Sequence, residues 1–259
     1  MIEHLSASQI QGYLDCSLKY KLNYIDRLPK PFKPAALALG SALHAAVEWL
    51  HRKWNAGNGV TLEMVWQIFE ADWYAQALDE ISYKDGETAL QVLNLGKKLL
   101  SVYFEHAPRD GIVEAELPFQ VPLTDLSTGE SLDISLAGIF DKIEEGDVVA
   151  DLKTWSRTVS QEDLDSNIQL SAYAYAYRML YGKDPSLRLD VLLKTRTPRL
   201  EQFSTTRTEA DHLTFFALCR EVYNGIQKEV FLPNPSWKCR DCEFRKHCWF
   251  WKGKPVVSG

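Results

Sequence analysis

Residues 138–155 read GIFDKIEEGDVVADLKTW. Two apolar runs flank the turn signal EEGD, which predicts a β-hairpin. Asp141 stands near the end of the first strand. Asp151 and Lys153 stand two apart on the second, so they share one face of it. An odd number of residues in the loop around Gly146 sets Asp141 opposite Asp151, with Cβ atoms roughly 4.5–5.5 Å apart. An even number sends the two carboxylates to opposite faces. Facing carboxylates repel unless a cation neutralises them. Oxygen ligands in that number suit Mg²⁺ or Mn²⁺. Lys153 beside them is placed to orient a water and to balance charge on a phosphate. Taken alone, the same residues also describe a surface hairpin with a loose salt bridge.

Outward from the hairpin, the period of the apolar residues changes. Toward the N-terminus the chain reads as helices. Ser6 or Ser8 caps a first helix through SQIQGYLDCSLKYKL, and DRLPKPFKP is a proline-broken loop. A second helix runs through LGSALHAAVEWLHRKW with Leu43, Ala46, Val47 and Leu50 on one face. Two more helices are predicted near 62–79 and 87–106. Strands IVEAELPFQVPL and LDISLAGIFDKIEE precede DVVADLKTW, separated by turn signals, as in an antiparallel meander. SQED at 160–163 is a capping box opening a helix to about Leu180, where Gly182 stops it. LRLDVLLKT reads as a buried strand, with a shorter strand near 200–206 and a last helix near 208–228. This order predicts an α/β fold: a mixed central sheet flanked by helices behind a helical N-terminal region.

The 259 residues suffice for one large domain, with 46% hydrophobic and 25% charged residues. Apolar runs are too short for a membrane span, and the N-terminus lacks a signal-peptide pattern, so the expected location is the cytoplasm, with no membrane partner. A GxxxxGK[ST] motor motif is absent, so any unwinding requires a separate helicase. The net charge of −6 argues against nucleic acid for the chain as a whole. The charge is uneven, however. Residues 61–90 hold seven acids against Lys84, whereas 238–254 hold six bases against Asp241 and Glu243.

Those bases surround CRDCEFRKHC at 239–248. Three of the five cysteines cluster there, a pattern that points to metal rather than disulfides in a reducing compartment. Three ligands are one short of a thiolate site. His247 could complete a zinc knuckle, or the fourth ligand comes from afar. Cys219 lies among apolar residues of a predicted helix and reads as a small core hydrophobe; Cys16 follows the first helical turns.

Taken together, these stretches resemble the RecB-like PD-(D/E)xK nucleases. GIFD followed by DLKT matches the family's paired strands, with Asp151 where relatives often carry Glu. LGSALHAAVE is similar to the helix that supplies a histidine, here His44. Glu116 in VEAELPF matches an acid on the first core strand, and Gln169 with Tyr173 matches a QLxxY helix motif. The resemblance extends to relatives of the AddB type and the CRISPR-associated RecB-like exonucleases. These carry one cysteine before the core and three after it, binding a 4Fe–4S cluster. It implies Cys16, Cys239, Cys242 and Cys248 as cluster ligands in an iron–sulfur tail. It further implies His44, Asp141 and Asp151 as ligands of Mg²⁺ or Mn²⁺, with the Leu152 carbonyl, and Glu116 assisting that ion or a second one. Lys153 would position the attacking water, and Gln169 and Tyr173 would orient the hairpin or touch the DNA.

The expected protein is a single domain, with a helical region at 1–110, a catalytic α/β core at 111–206 and a helix and cysteine tail at 207–259. Its expected reaction is hydrolysis of DNA phosphodiesters, as an exonuclease on single-stranded ends in repair, phage or CRISPR-related processing. The alternative is a non-catalytic DNA-binding subunit of a repair or CRISPR-adaptation complex. Trp237, Trp249 and Trp251 could stack on bases or pack over the cluster.

Overall fold

The computed structural model describes residues 2–76, 80–109 and 111–251. In chain order, β1 (His4–Leu5) leads into α1 (Ala7–Asp15), α2 (Ser17–Tyr20) and a π-helical turn at Lys21–Ile25. Next come β2 (Lys33–Pro34), α3 (Ala35–Asn55), α4 (Leu62–Gln76), β3 (Ile81–Ser82) and α5 (Ala89–His106). Three long strands follow: β4 (Ile112–Thr124), β5 (Ser131–Glu144) and β6 (Val148–Trp155). After α6 (Gln161–Asp165) and α7 (Ile168–Tyr181) come β7 (Ser186–Leu193), β8 (Arg199–Thr205) and α8 (Glu209–Gln227). The fold is the expected mixed α/β arrangement, with strand order β1-β5-β6-β7-β8 and β4 also pairing with β5.

Local chemistry accounts for the element ends. Ser6 caps α1 by accepting from the Gln9 amide, and reciprocal capping boxes open α5 (Thr88 with Gln91), α6 (Ser160 with Asp163) and α8 (Thr208 with Asp211). Gly182 closes α7 in the left-handed conformation. Two expected helices are broken. The helix predicted from 160 to 180 is interrupted at Ser166–Asn167, because the Asn167 side chain accepts from the Leu170 amide and starts α7 afresh. The first helix breaks at Cys16, whose extended backbone (φ −166°, ψ 102°) ends α1 and begins α2. There the Leu18 amide and the Ser17 hydroxyl both donate to the Leu232 carbonyl, a distant acceptor that local periodicity cannot reveal. The two-residue strands β1, β2 and β3 are too short to carry a periodic signal. The predicted helix near 62–79 is described to Gln76; residues 77–79 lie outside the described residues.

The chain forms two compact units. One comprises 32–119 and 139–207. In it β6 and β7 run parallel, joined by the α6–α7 crossover, while β5 and β8 pair antiparallel on either side. The hairpin loop is Glu145–Gly146–Asp147, an odd length, with Gly146 and Asp147 both at positive φ. Helices α3, α4 and α5 pack Leu43, Val47, Leu50, Phe69, Leu99 and Tyr103 into one core together with Leu152 and Leu192 of the sheet. The other unit comprises 1–31, 120–138 and 208–259. In it β1 pairs in parallel with β5 at His4↔Ser135 and Leu5↔Leu136, and α8 buries Phe216, Cys219 and Val222.

Gly96 of α5 lies against the Phe69 ring, where any Cβ would overlap ring carbons. Gly96→Ala is therefore expected to destabilise the fold by roughly 1–3 kcal/mol through overpacking, despite alanine's better helix propensity. Urea unfolding measures this, and an unchanged or raised midpoint would contradict the packing.

Candidate active site and cysteine recess

The hairpin end places most of the expected residues together. Regular pairing between β5 and β6 runs from Glu144↔Val148 to Lys142↔Ala150. One residue further, the Asp141 carboxylate itself takes the ladder: its Oδ2 accepts the Leu152 amide at 3.0 Å. Its Oδ1 accepts the Tyr173 hydroxyl at 2.8 Å. Tyr173 is buried against Phe140 and Phe119, so the hydroxyl has little freedom to turn away.

His44 reaches the same point from α3. Its Nε2 lies 2.8 Å from the Leu152 carbonyl. Burial pushes the imidazole pKa down, against the pull of Asp141, so the ring is neutral near neutral pH. A carbonyl only accepts, so Nε2 carries the proton and Nδ1 keeps a lone pair. That lone pair lies 3.6 Å from Asp141 Oδ2, an acceptor facing an acceptor. Glu116 completes the group, its φ of +52° placing a non-glycine residue in the left-handed region within β4. Ligand atoms of His44, Glu116 and Asp141 all lie within 4.8 Å of one another.

Asp151 lines the same pocket and is fully buried. Its Oδ1 accepts Lys153 Nζ at 2.7 Å, while Oδ2 has no hydrogen-bond partner among the described residues. Burial first, then the Asp141 carboxylate, pushes the Asp151 pKa up to about 7, against the pull of Lys153. Glu116 is likewise raised to about 7, by burial and then by Asp141 and Glu48. Burial works against the Lys153 ammonium, but Asp151 and Asp141 outweigh it, so its pKa is raised and it stays charged. An orphaned buried carboxylate oxygen, a histidine lone pair and two crowded acids fit a hard divalent cation. Gln169 is half-buried one turn before Tyr173 and does not line this pocket.

Several residues here were not singled out from the sequence. Glu48 follows His44 by one turn of α3 and lines the pocket, as do His51, Tyr103, Lys142 and Asp190. The i, i+4 spacing of His44 and Glu48 was a legible signal. The buried charges of β5 and β7 were not: LRLDVLLKT read as apolar, and no signal on β5 marked Lys142 and Glu144 as buried.

The four expected cysteines line a second recess of about 350 Å³, together with Trp251 and Lys19. Cys16 is among the lining residues and His247 is not. The Asn234 amide lies 3.5 Å from Cys16 Sγ, and the Ser236 amide 3.4 Å from Cys239 Sγ. Burial raises the Cys242 pKa, opposed by the Phe244 amide. Cys219 is buried elsewhere, as a core hydrophobe. Trp251 packs over the recess under Arg245, 4.4 Å from its ring, while Trp237 and Trp249 are exposed.

A family model described as the PD-(D/E)XK nuclease superfamily matches residues 4–249. The chain belongs to the PD-(D/E)XK nuclease superfamily. Among solved structures, a candidate exonuclease from Eubacterium rectale aligns over 99% of this chain and 90% of its own, at 12% identity and TM-score 0.62. That likeness concerns the fold. A second solved structure, SSO0001, aligns over 94% of this chain and 95% of its own, at 14% identity and TM-score 0.37. No curated protein sequence matches. None of the described helices is long and apolar enough to cross a membrane.

The raised carboxylates make the site pH-sensitive. An unfolded carboxylate titrates near ~4. With folded values of about 7, Glu116 and Asp151 bind more protons in the native than in the unfolded chain across that window. Their contribution to stability therefore falls as pH rises toward 7. A cation held by these acids would displace these protons. The Tm gain on adding Mg²⁺ is expected to be larger at about pH 8 than at about pH 5.5. Calorimetry that finds equal gains at both would refute the assignment of these acids to the cation.

Proposed function

We propose that the chain is a divalent-cation-dependent DNA nuclease, acting as an exonuclease on single-stranded ends in the cytoplasm, with a 4Fe–4S cluster in its cysteine recess. The convergence of His44, Glu116 and Asp141 beside the Asp151–Lys153 pair carries the nuclease reading. Superfamily membership and the exonuclease name of the Eubacterium rectale neighbour support it.

In this reading His44 Nδ1, Asp141 and Glu116 hold the cation, joined by Asp151 through its unpartnered Oδ2. The bound cation supplies Lewis-acid polarisation of the scissile phosphate and acidifies an attacking water. The Leu152 carbonyl fixes the His44 tautomer so that a lone pair faces the site. The Tyr173 hydroxyl and the Leu152 amide hold both oxygens of Asp141. Asp151 and Asp141 favour the Lys153 ammonium, which suits it to orient the water and to balance phosphoryl charge. Gln169 would contact the strand from α7.

The cluster reading is supported by a recess lined by four cysteines and by backbone amides directed at two of the sulfurs. Such a cluster would tie α1 and α2 to the segment 233–251, and closing so long a loop removes unfolded-chain entropy.

Degradation of end-labelled single-stranded DNA with Mg²⁺ or Mn²⁺ tests the activity. Lys153→Ala is expected to lose about 10²–10³ in rate, and substrates blocked at the 5′ or 3′ end report polarity. Inactivity of anaerobically purified, cluster-loaded wild type would instead leave a non-catalytic DNA-binding subunit. For the recess, Cys16→Ala is expected to remove the brown absorbance near ~400 nm, whereas Cys219→Ala retains it. A colourless wild type with stoichiometric zinc would overturn the cluster.

A further inference from the structure

Next to the carboxylates lies a second charged group that the reaction above does not use. Lys142 and Glu144 of β5 and Arg188 and Asp190 of β7 form a largely buried quartet. Lys142 Nζ lies 2.7 Å from Glu144 and 3.4 Å from Asp190. Arg188 grips Glu144 with both Nη atoms, at 2.6 and 2.7 Å, and Asp190 through Nε at 2.7 Å. Gln202 of β8 adds a bond to Asp190 at 2.9 Å. The two cations and two anions balance.

Stability does not explain this arrangement. Burying four charges carries a desolvation penalty that well-packed apolar residues avoid. Position explains it better. The quartet spans three strands: Ala150 of β6 pairs with Lys142 on one side and with Arg188 on the other. Lys142 reaches Asp190, and Arg188 reaches Glu144, across β6. The quartet sits where the β5–β6 ladder stops, at Lys142↔Ala150. Asp141 is the next residue, held through its carboxylate rather than by ladder pairing. On the other side, Asp190 pairs with Leu152, between Asp151 and Lys153.

We infer that the Lys142–Glu144–Arg188–Asp190 quartet is a positioning device for the cation site, clamping β5 and β7 across β6 so that the carboxylates of Asp141 and Asp151 keep ligand geometry. This rests on the cation site proposed above. Its residues support ligands as outer partners do in metal proteins, where their loss costs about 10–100-fold in metal affinity.

The test is Mn²⁺ binding to the full chain without DNA, read by calorimetry and by the electron paramagnetic resonance of free Mn²⁺. Two variants are compared with wild type: Asp190→Asn, and the combined Lys142→Met, Glu144→Leu, Arg188→Met, Asp190→Leu. The combined variant removes the charges together and leaves none unpaired, so it is expected to fold even if Asp190→Asn does not. A 10–100-fold rise in Mn²⁺ Kd, with circular dichroism and Tm close to wild type, is the expected result. Arg157→Ala, at an exposed ion pair in the same unit, should leave the Kd unchanged. An unchanged Kd in a folded quartet variant overturns the inference while leaving the cation site standing. Absence of Mn²⁺ binding in wild type overturns the cation site itself, and the quartet's role with it.

Discussion

Where the β5–β6 ladder ends, a side chain takes over from the backbone. Pairing stops at Lys142↔Ala150, and two residues further along β6 the Leu152 amide donates to the Asp141 carboxylate. The contact has two consequences. It removes one carboxylate oxygen from solvent and fixes its direction, and it brings the Leu152 carbonyl within reach of His44 on α3. Tyr173 closes the arrangement from α7. Helices α3 and α7 and two strands thus meet at one carboxylate.

That junction is electrostatically unfinished. Glu48, Glu116, Asp141 and Asp151 line a single pocket, and Lys153 pairs with Asp151. One acid holds strained backbone, another is buried with a bare oxygen, and the neutral imidazole turns its lone pair toward a carboxylate. The bare oxygen, the facing lone pair and the crowded acids are unfavourable alone, and an added positive charge would offset these three, though not the strained backbone. The neighbouring quartet shows the opposite economy, since its four charges are mutually satisfied and make no demand on a ligand.

The cysteine recess follows a related logic in the other unit. Amides of Asn234 and Ser236 point at sulfurs, and Leu18, Leu22 and Phe244 pack beside them. Cys16 belongs to this recess because the break between α1 and α2 is locked by Leu232, more than two hundred residues along the chain.

Much of this was legible in the residues themselves. The spacing of Asp151 and Lys153, the turn chemistry around Gly146, the capping boxes and the apolar stripe of α3 are local properties, governed by backbone geometry within a few residues. They pointed to the hairpin and several element ends, while the loop length, odd or even, was decided by the fold. What they could not specify was which acids converge. Local reading set Asp151 opposite Asp141 as a shared ligand pair. In the fold the ladder ends one step earlier, and the compact trio is His44, Glu116 and Asp141, with Asp151 buried behind Lys153. The break at Cys16 and the charges inside β5 and β7 were hidden for the same reason. Their partners lie far away in sequence, and a buried charge is tolerable only once tertiary structure supplies its counter-charge. The sequence by itself determined the residue types and their local spacing; only the packed sheet and helices decided which of them share a site.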